Sequence, residues 1–310
     1  ILLDDGLAST LQQVYGSEGG NDQSLTRDPD ISGAFVQHSD AAASGGSLYS
    51  PGTQLDGTPF SGCVSGSLVT IMEIQGEAHL SAYNGQGVET SGIVTAVRNS
   101  GFYLQDPAGD GNEATSDAIF VFTGSAPGVA PGDAVTVVGL VDEFYPGGFG
   151  SGNLSTTELV DVTITVNSSG NSLPAPVVLG SNGRIPPNSI IDDDSTGDVN
   201  ATPTFDPAND GIDFYESVEG MLVQVNDAQV VGGTRFGEIA VVGDFGANAT
   251  TLNSRGGLVI DPTDFNPERI IIDDAIVSDE PDANVGDLFT GPIVGVMDYS
   301  FGNYKILNPD

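Results

Sequence analysis

The chain has 310 residues and carries 43 acidic residues against seven basic ones, which gives a formal net charge of −36 at pH 7. A protein that grips duplex DNA uses roughly 6–10 phosphate contacts from Lys and Arg, and the seven basic residues here are scattered along the sequence. The composition therefore argues against a conventional nucleic-acid binder and against anionic membrane surfaces. It favours divalent cations as partners.

The single cysteine, Cys63, excludes an internal disulfide and a thiolate zinc cluster. We expect no membrane span, because no run of 18 apolar residues occurs, and no signal peptide is visible. The opening Ile-Leu-Leu is typical of the middle of a strand, so we expect a processed or cropped product. Abundant Gly and Pro with a single Lys are typical of an extracellular β protein, which predicts a location outside the cell or on its surface.

Strand signals dominate the sequence in chain order, after a polar segment at 23–60 that predicts extended structure. The clearest strand lies at 160–166, where Val and Ile alternate with Asp and Thr as in a half-buried strand. Few segments keep a helical period, so the sequence predicts an almost all-β fold. Further short apolar runs between turn residues predict strands at 119–122, 134–141, 221–225, 238–242, 269–272 and 292–297.

An internal repeat organises these strands. Gly132-Asp133, then five residues and Gly-Leu-Val-Asp, matches Gly286-Asp287, then seven residues and Gly-Val-Met-Asp. Upstream, residues 87–97 correspond to residues 219–231. One repeat unit has the size of a small five-stranded barrel, so the pattern predicts two barrels in tandem. The alternative is one large sandwich with chance similarity in its turns.

Four longer stretches resemble the non-catalytic front part of large secreted bacterial endonucleases. They are QSLTRDPDISGAFVQH at 23–38, GFYLQDPAGDGNEATSDAIFVFT at 101–123, FDPANDGIDFYESVEGM at 205–221 and RGGLVIDPTDFNPERIIIDD at 255–274. In that family a lamin-tail domain precedes OB-like domains and a catalytic domain of the endonuclease/exonuclease/phosphatase type.

The resemblance implies an all-β fold with four segments in this chain. They are the end of an immunoglobulin-like (lamin-tail) sandwich with an extended tail at 1–62, a first OB-like β-barrel at 63–172, a linker at 173–204 and a second OB-like β-barrel at 205–310. The sandwich lacks strands, and the catalytic domain of the family is absent. That domain needs His and carboxylates around a metal, and the only histidines, His38 and His79, fall in segments that match the front part. We therefore expect no enzymatic activity.

Acidic loops are the candidate metal sites. The first choice is the loop at 106–117, where closely spaced oxygens around Gly could wrap Ca²⁺, which takes 6–8 oxygen ligands. The spacing is not that of an EF-hand, and the alternative is an Asx-rich hairpin loop without metal. The first-choice ligands are Asp106, Asp110, Asn112 and Asp117. Weaker candidates, for which a solvated loop is the alternative, are Asp192, Asp194, Asp198, Asp206 and Asp210.

Aromatic residues on the strands offer a second kind of site, because OB barrels bind single strands by stacking bases on exposed rings. The candidates in the first barrel are Phe102, Tyr103, Phe120 and Phe122. Alternate rings of a strand point inward, so we expect at least half of the aromatic rings to be core.

The sequence is compatible with three functions. The first is an extracellular β-rich structural module that binds calcium in acidic loops and associates with copies of itself into a filament or surface layer, since an incomplete sandwich has unpaired edges. The second is a DNA-holding accessory region of a secreted nuclease whose catalytic domain lies outside this chain. The third is a carbohydrate-binding or adhesive module, for which no residue pattern selects a sugar.

Overall fold

The computed structural model describes residues 25–28, 34–46, 48, 66–194, 197–201, 204–277 and 281–308. The chain forms two compact units, residues 1–63 and 64–310. Within the described residues, no helix is long and apolar enough to cross a membrane.

The first unit contains an antiparallel pair, β1 (Leu25–Asp28) and β2 (Ala34–Gln37), in which Leu25 lies opposite Gln37. Two short 3-10 turns follow it at His38–Asp40 and Ala42–Ser44, and His38 is buried. The rest of the predicted lamin-tail segment lies outside the described residues.

The second unit begins with a closed five-stranded barrel. The elements are β3 (Ser67–Leu68), α1 (Ile71–Gln75), β4 (Gly87–Arg98), β5 (Gly101–Gln105), β6 (Ala118–Phe122), β7 (Ala134–Phe144) and β8 (Thr156–Ser168). Strand β4 pairs with β5 through its second half and with β7 through its first half, so the order β4-β5-β6-β8-β7 returns to β4. Strands β6 and β8 are parallel and the other barrel pairs are antiparallel. This connectivity is that of an OB-type barrel.

A second barrel of the same type follows. The elements are β9 (Val177–Val178), α2 (Gly211–Glu216), β10 (Leu222–Val225), β11 (Gln229–Arg235), β12 (Glu238–Val242), β13 (Ile270–Asp273), β14 (Ile293–Ser300) and β15 (Asn303–Leu307). The first strand of the barrel is bent into two halves, β10 and β11, at Asp227, which adopts a left-handed backbone (φ 47°). Because β10 pairs with β14 and β11 pairs with β12, the order β11-β12-β13-β15-β14-β10 closes on itself, with β13 and β15 parallel.

The repeated Gly-Asp turns form equivalent backbone hydrogen bonds to the first strand in both barrels. Gly132 and Gly286 have left-handed backbones, with φ of 87° and 93°, and their N–H groups donate to Val94 and Val230 of the first strands at 2.9 and 2.8 Å. The prediction of an all-β fold with two OB-like barrels is thereby confirmed. The short helices α1 and α2 were not predicted, because five or six residues are too few to show a helical period.

The outer faces of the two barrels pack on each other. Tyr103 of the first barrel shares a buried apolar cluster with Leu222 and Val296 of the second. The N–H of Leu222 donates to the Gln105 side chain at 2.9 Å. The segment predicted as a linker contributes β9, which pairs in parallel with β10.

Candidate functional site

Helix α2 positions the acidic residues at the junction of the barrels. Phe214 is buried in the core of the second barrel, and Tyr215 beside it is also buried, which fixes the rotation of the helix. The N–H groups of Gly211 and Ile212 donate to the backbone carbonyl oxygens of Ile190 and Ile191, both at 3.0 Å. Gly211 permits this approach, because a Cβ there would lie 2.3 Å from Pro267 and 3.2 Å from the Ile190 carbonyl oxygen. The acidic run that starts at residue 192 is therefore held against the start of α2.

This approach brings together three of the acids that the sequence named as weaker metal candidates. Asp192, Asp194 and Asp210 each offer one carboxylate oxygen, and these oxygens all lie within 4.8 Å of one another. The Asp210 side chain is only 1% exposed, and its Oδ1 has no hydrogen-bond partner in the described part of the chain. Oxygens clustered in this way suit a hard divalent cation.

The raised pKa of Asp210 also favours a cation beside it. Burial, and then the charges of Asp193, Asp213, Asp192 and Asp194, raise the pKa of Asp210 to about 6. An ionised Asp210 is therefore costly at neutral pH unless a positive charge lies beside it.

The other two weaker candidates take part in local turns instead. Asp198 accepts a hydrogen bond from the N–H of Asn200 at 3.1 Å. Asp206 accepts one from the Asn209 side chain at 2.8 Å, and neither belongs to the cation cluster found among the described residues.

The first-choice loop at 106–117 forms Asx turns. Asp106 accepts from the N–H groups of Ala108 and Gly109 at 2.8 and 3.1 Å. Asp110 accepts from the N–H of Asn112 at 2.8 Å, and the side-chain oxygen Oδ1 of Asn112 accepts from the N–H of Ala114 at 3.1 Å. These residues do not meet in a cation cluster within the described segments.

Asp117 closes the same loop. It is half-buried, and burial together with the charge of Asp110 raises its pKa. One oxygen, Oδ1, is buried without a hydrogen-bond partner in the described part of the chain.

Two of the four candidate stacking rings are enclosed. Phe102 lies in the core of the first barrel, and Tyr103 lies in the cluster between the barrels. Neither ring can stack on a base in this conformation, which corrects the expectation for these two residues. Phe120 is half-buried and Phe122 is 40% exposed.

Sequence reasoning missed a buried cluster on the other side of α2. His79 Nε2 lies 2.7 Å from Asp213 Oδ1, and His79 Nδ1 lies 3.3 Å from Glu216 Oε2. The Tyr304 hydroxyl donates to Glu216 at 2.6 Å. Burial alone would lower the pKa of His79, but the hydrogen bonds and charges of Asp213 and Glu216 outweigh it and raise the pKa to about 10.

Two further buried acids border this cluster. Glu143 accepts from the N–H of Ser81 at 2.7 Å and Glu219 accepts from the N–H of Thr157 at 3.3 Å. Burial and the charge of Glu216 raise the pKa of Glu219 well above its usual range, so the neutral acid is favoured there. The spacing of Asp213 and Glu216 hinted at one helical face, but no sequence pattern links them to His79, which lies 134 residues from Asp213.

Comparison with known proteins adds little to these sites. A family model for a domain of unknown function (DUF8508) matches residues 178–310, which include the second barrel and the segment from the end of β9 to β10. No curated protein matches the chain. A solved structure, the crystal structure of fission yeast Pot1 and ssDNA, is 17% identical and covers 76% of this chain and 82% of that chain, with a TM-score of 0.25. A TM-score of this size does not establish a common fold.

Proposed function

We propose that the chain is a non-catalytic, calcium-binding structural module of an extracellular β-rich protein. The observation that carries the proposal is the buried residue Asp210, whose carboxylate oxygen Oδ1 lacks a hydrogen-bond partner among the described residues. Its carboxylate also offers an oxygen within 4.8 Å of carboxylate oxygens of Asp192 and Asp194. A buried polar atom without a hydrogen-bond partner lowers the free energy of unfolding by about 1–3 kcal/mol. A cation bound beside Asp210 would remove this cost.

The ligand set selects the class of cation. Carboxylate oxygens suit hard ions such as Ca²⁺ and Mg²⁺, whereas Zn²⁺ favours Cys and His. Asp192 and Asp194 belong to a loop and Asp210 to the start of α2, and the spread of ligands over two segments suits the flexible coordination of Ca²⁺ better than the strict octahedron of Mg²⁺. Backbone carbonyls and water would complete the shell. The ion would tie the segment before the second barrel to α2.

Calorimetric titration tests the proposal. The chain, freed of metal with a chelator and then desalted, is titrated with calcium chloride at pH 7.5. We expect one binding event that Asp210→Asn abolishes and Asp193→Asn weakens without abolishing, because Asp193 lies outside the cluster but its charge acts on Asp210. Binding that survives Asp210→Asn and disappears in Asp110→Asn would move the site to the loop at 106–117.

The absence of catalytic activity is part of the proposal. The described histidine with carboxylate neighbours, His79, is buried and already engaged by Asp213 and Glu216. A general base needs to reach the proton of a substrate, and these groups hold two barrels together instead. We propose an extracellular location together with calcium binding, because the calcium sites of extracellular modules have dissociation constants of about 10⁻⁴–10⁻³ M.

Holding DNA for a nuclease is the second candidate, and the barrel topology favours it, since OB barrels commonly bind oligonucleotides through the face of their second and third strands. In the first barrel that face carries Tyr103 and Phe120, and the second barrel covers Tyr103. The charge of −36 also opposes phosphate. Fluorescence anisotropy with labelled single-stranded DNA separates the candidates; saturable micromolar binding at 0.15 M salt would favour the DNA-holding function.

A further inference from the structure

A cavity of about 500 Å³ opens where the outer face of the first barrel meets the second. Its floor is a row of residues that the strand register places side by side. Tyr103 on β5 lies opposite Phe120 on β6, Phe120 lies beside Glu158 on β8, and Glu158 lies opposite Asp142 on β7. Strands place alternate side chains on one face, so two rings and two carboxyl groups line the same floor.

Further rings wall the cavity. Phe122 and Phe144 line it and are 40% and 48% exposed, which is high for phenylalanine. Tyr299 of the second barrel forms part of the opposite wall. The faces of aromatic rings carry partial negative charge and attract cations.

Acidic groups outnumber basic groups in the lining. Five carboxyl groups, of which Glu219 favours the neutral form, line the cavity against one guanidinium, that of Arg98. Arg98 is already paired with Asp298 at 3.0 Å and lies over the Phe120 ring at 5.8 Å from its centroid. The pair leaves an excess of acids, so an anionic or phosphate-bearing ligand would be repelled.

Glu158 is the group that points to a ligand. Its side chain is 6% exposed and lines the cavity, yet it forms no hydrogen bond or ion pair with any described residue. Burial, and then the charges of Asp142 and Asp298, raise its pKa to about 7. Buried acids in native proteins are normally paired or hydrogen-bonded.

We propose that this cavity binds an alkylated ammonium group, with the rings of Phe120, Phe122 and Phe144 around the alkyl groups and the carboxylate of Glu158 beside the positive charge. Phenylalanine rings cannot accept the directional hydrogen bonds that a primary ammonium or a sugar hydroxyl requires, whereas they do surround the methyl groups of a quaternary ammonium. The site is separate from the cluster of Asp192, Asp194 and Asp210 and does not depend on the proposed function.

Choline and its neutral isostere 3,3-dimethylbutan-1-ol test the proposal. The full chain is titrated calorimetrically with each compound at pH 8 in the presence of a chelator, which removes divalent cations from the Asp210 cluster. We expect choline to bind and the neutral isostere to bind at least about tenfold more weakly, because the two differ only in charge.

Variants locate the binding. Glu158→Gln should weaken choline binding by about tenfold or more, and Phe122→Leu, which keeps an apolar side chain but removes the ring, by about threefold to tenfold. Glu113→Gln is the matched control, since its side chain is 78% exposed and it does not line the cavity. No choline binding, equal affinity for the isostere, or an affinity unchanged by Glu158→Gln would each overturn the proposal.

The pH dependence of choline affinity distinguishes a Glu158 that contacts the ligand from one that only maintains the fold. Glu158 shares the cavity with a set of titratable groups, of which Glu219 favours its neutral form. They are Arg98 on β4, Tyr103 on β5, Asp142 on β7, Asp161 on β8, Asp298 and Tyr299 on β14, and Glu219 before β10. Choline affinity should be full above about pH 7 and fall as Glu158 takes up a proton below it. In Glu158→Gln the same profile should be flatter; a wild-type affinity constant from pH 8 to pH 5.5 would contradict the assignment.

Discussion

At the scale of single residues, Asp210 should destabilise the folded chain when no cation is bound and stabilise it when a cation is bound. Without a cation its ionised carboxylate is buried among like charges, and with one it becomes a ligand. A group whose pKa is raised from 3.8 to about 6 binds a proton more tightly in the folded chain, so without calcium its contribution to stability falls as the pH rises from about 4 to about 6.

The expected consequence is a change of sign in one variant. In chelator at pH 7.5, Asp210→Asn should raise the free energy of unfolding by about 1–3 kcal/mol, because it removes a buried charge. In calcium at 1,000 times its dissociation constant, the wild type gains about 4.1 kcal/mol and the variant does not, so the variant should then be the less stable protein by about 1–3 kcal/mol. Urea unfolding in both conditions measures this; the same sign in both would contradict the assignment.

His79 provides the second prediction at this scale. Its folded-state pKa of about 10 lies above the ordinary value of 6.5, so its stabilising contribution is full below pH 6.5 and is lost as the pH rises towards 10. His79→Gln should destabilise the chain by about 3–5 kcal/mol at pH 6, since it leaves Asp213 and Glu216 buried without their cation.

Urea unfolding at pH 6 and pH 9.5, in chelator, measures the loss. The gap between wild type and His79→Gln should shrink at the higher pH. His38→Gln removes the other histidine, which lies in the first unit, and serves as the control. A gap of equal size at both pH values would show that His79 is not charged in the folded chain.

At the scale of elements, the repeated glycines explain why the sequence pattern recurs. Gly139 and Gly295 lie on the fourth strand of each barrel, β7 and β14, where its backbone comes close to the fifth strand. A Cβ at Gly139 would lie 2.8 Å from the Val162 side chain, and one at Gly295 would lie 2.4 Å from the Leu307 carbonyl oxygen. Glycine in a strand commonly marks such a close approach of backbones.

Gly295→Ala should therefore destabilise the second barrel by at least about 2 kcal/mol, because backbone rather than a flexible side chain must move. Gly291→Ala, four residues earlier, is the control, since no atom lies within 4 Å of the added Cβ. Thermal unfolding of the two variants compares them directly. A Gly295→Ala variant as stable as Gly291→Ala would contradict this close approach to Leu307.

The elements also show what the sequence could and could not predict. Alternation and the Gly-Asp turns predicted the strands and the tandem barrels, because both are local patterns. Alternation in β5 predicted that one of Phe102 and Tyr103 would face solvent. Both are buried, since the second barrel covers the outer face of the first. The two acidic runs were each visible, but their meeting at Asp210 depends on contacts between segments that are distant in sequence.

At the scale of the whole molecule, the net charge of −36 and the sheet edges constrain assembly. Both barrels are closed, and the outermost strands that flank them in the described part of the second unit, β3 and β9, have only two residues each. Strand addition needs a longer edge. If the chain associates with copies of itself, the segment at 1–62 is the expected source of the contact.

Sedimentation velocity tests this expectation. We expect species larger than a monomer in millimolar calcium and monomers in chelator, because cations must offset the repulsion between acidic subunits. Residues 64–310 alone should remain monomeric in both conditions. A full-length chain that stays monomeric with and without calcium would end the proposal of a filament or surface layer.

Anomalous diffraction from crystals grown with calcium, or with a lanthanide in its place, locates the bound cation directly. We expect a peak at about 2.3–2.6 Å from carboxylate oxygens of Asp192, Asp194 and Asp210. A peak confined to the loop at 106–117, or none beside Asp210 at saturating cation, would contradict it.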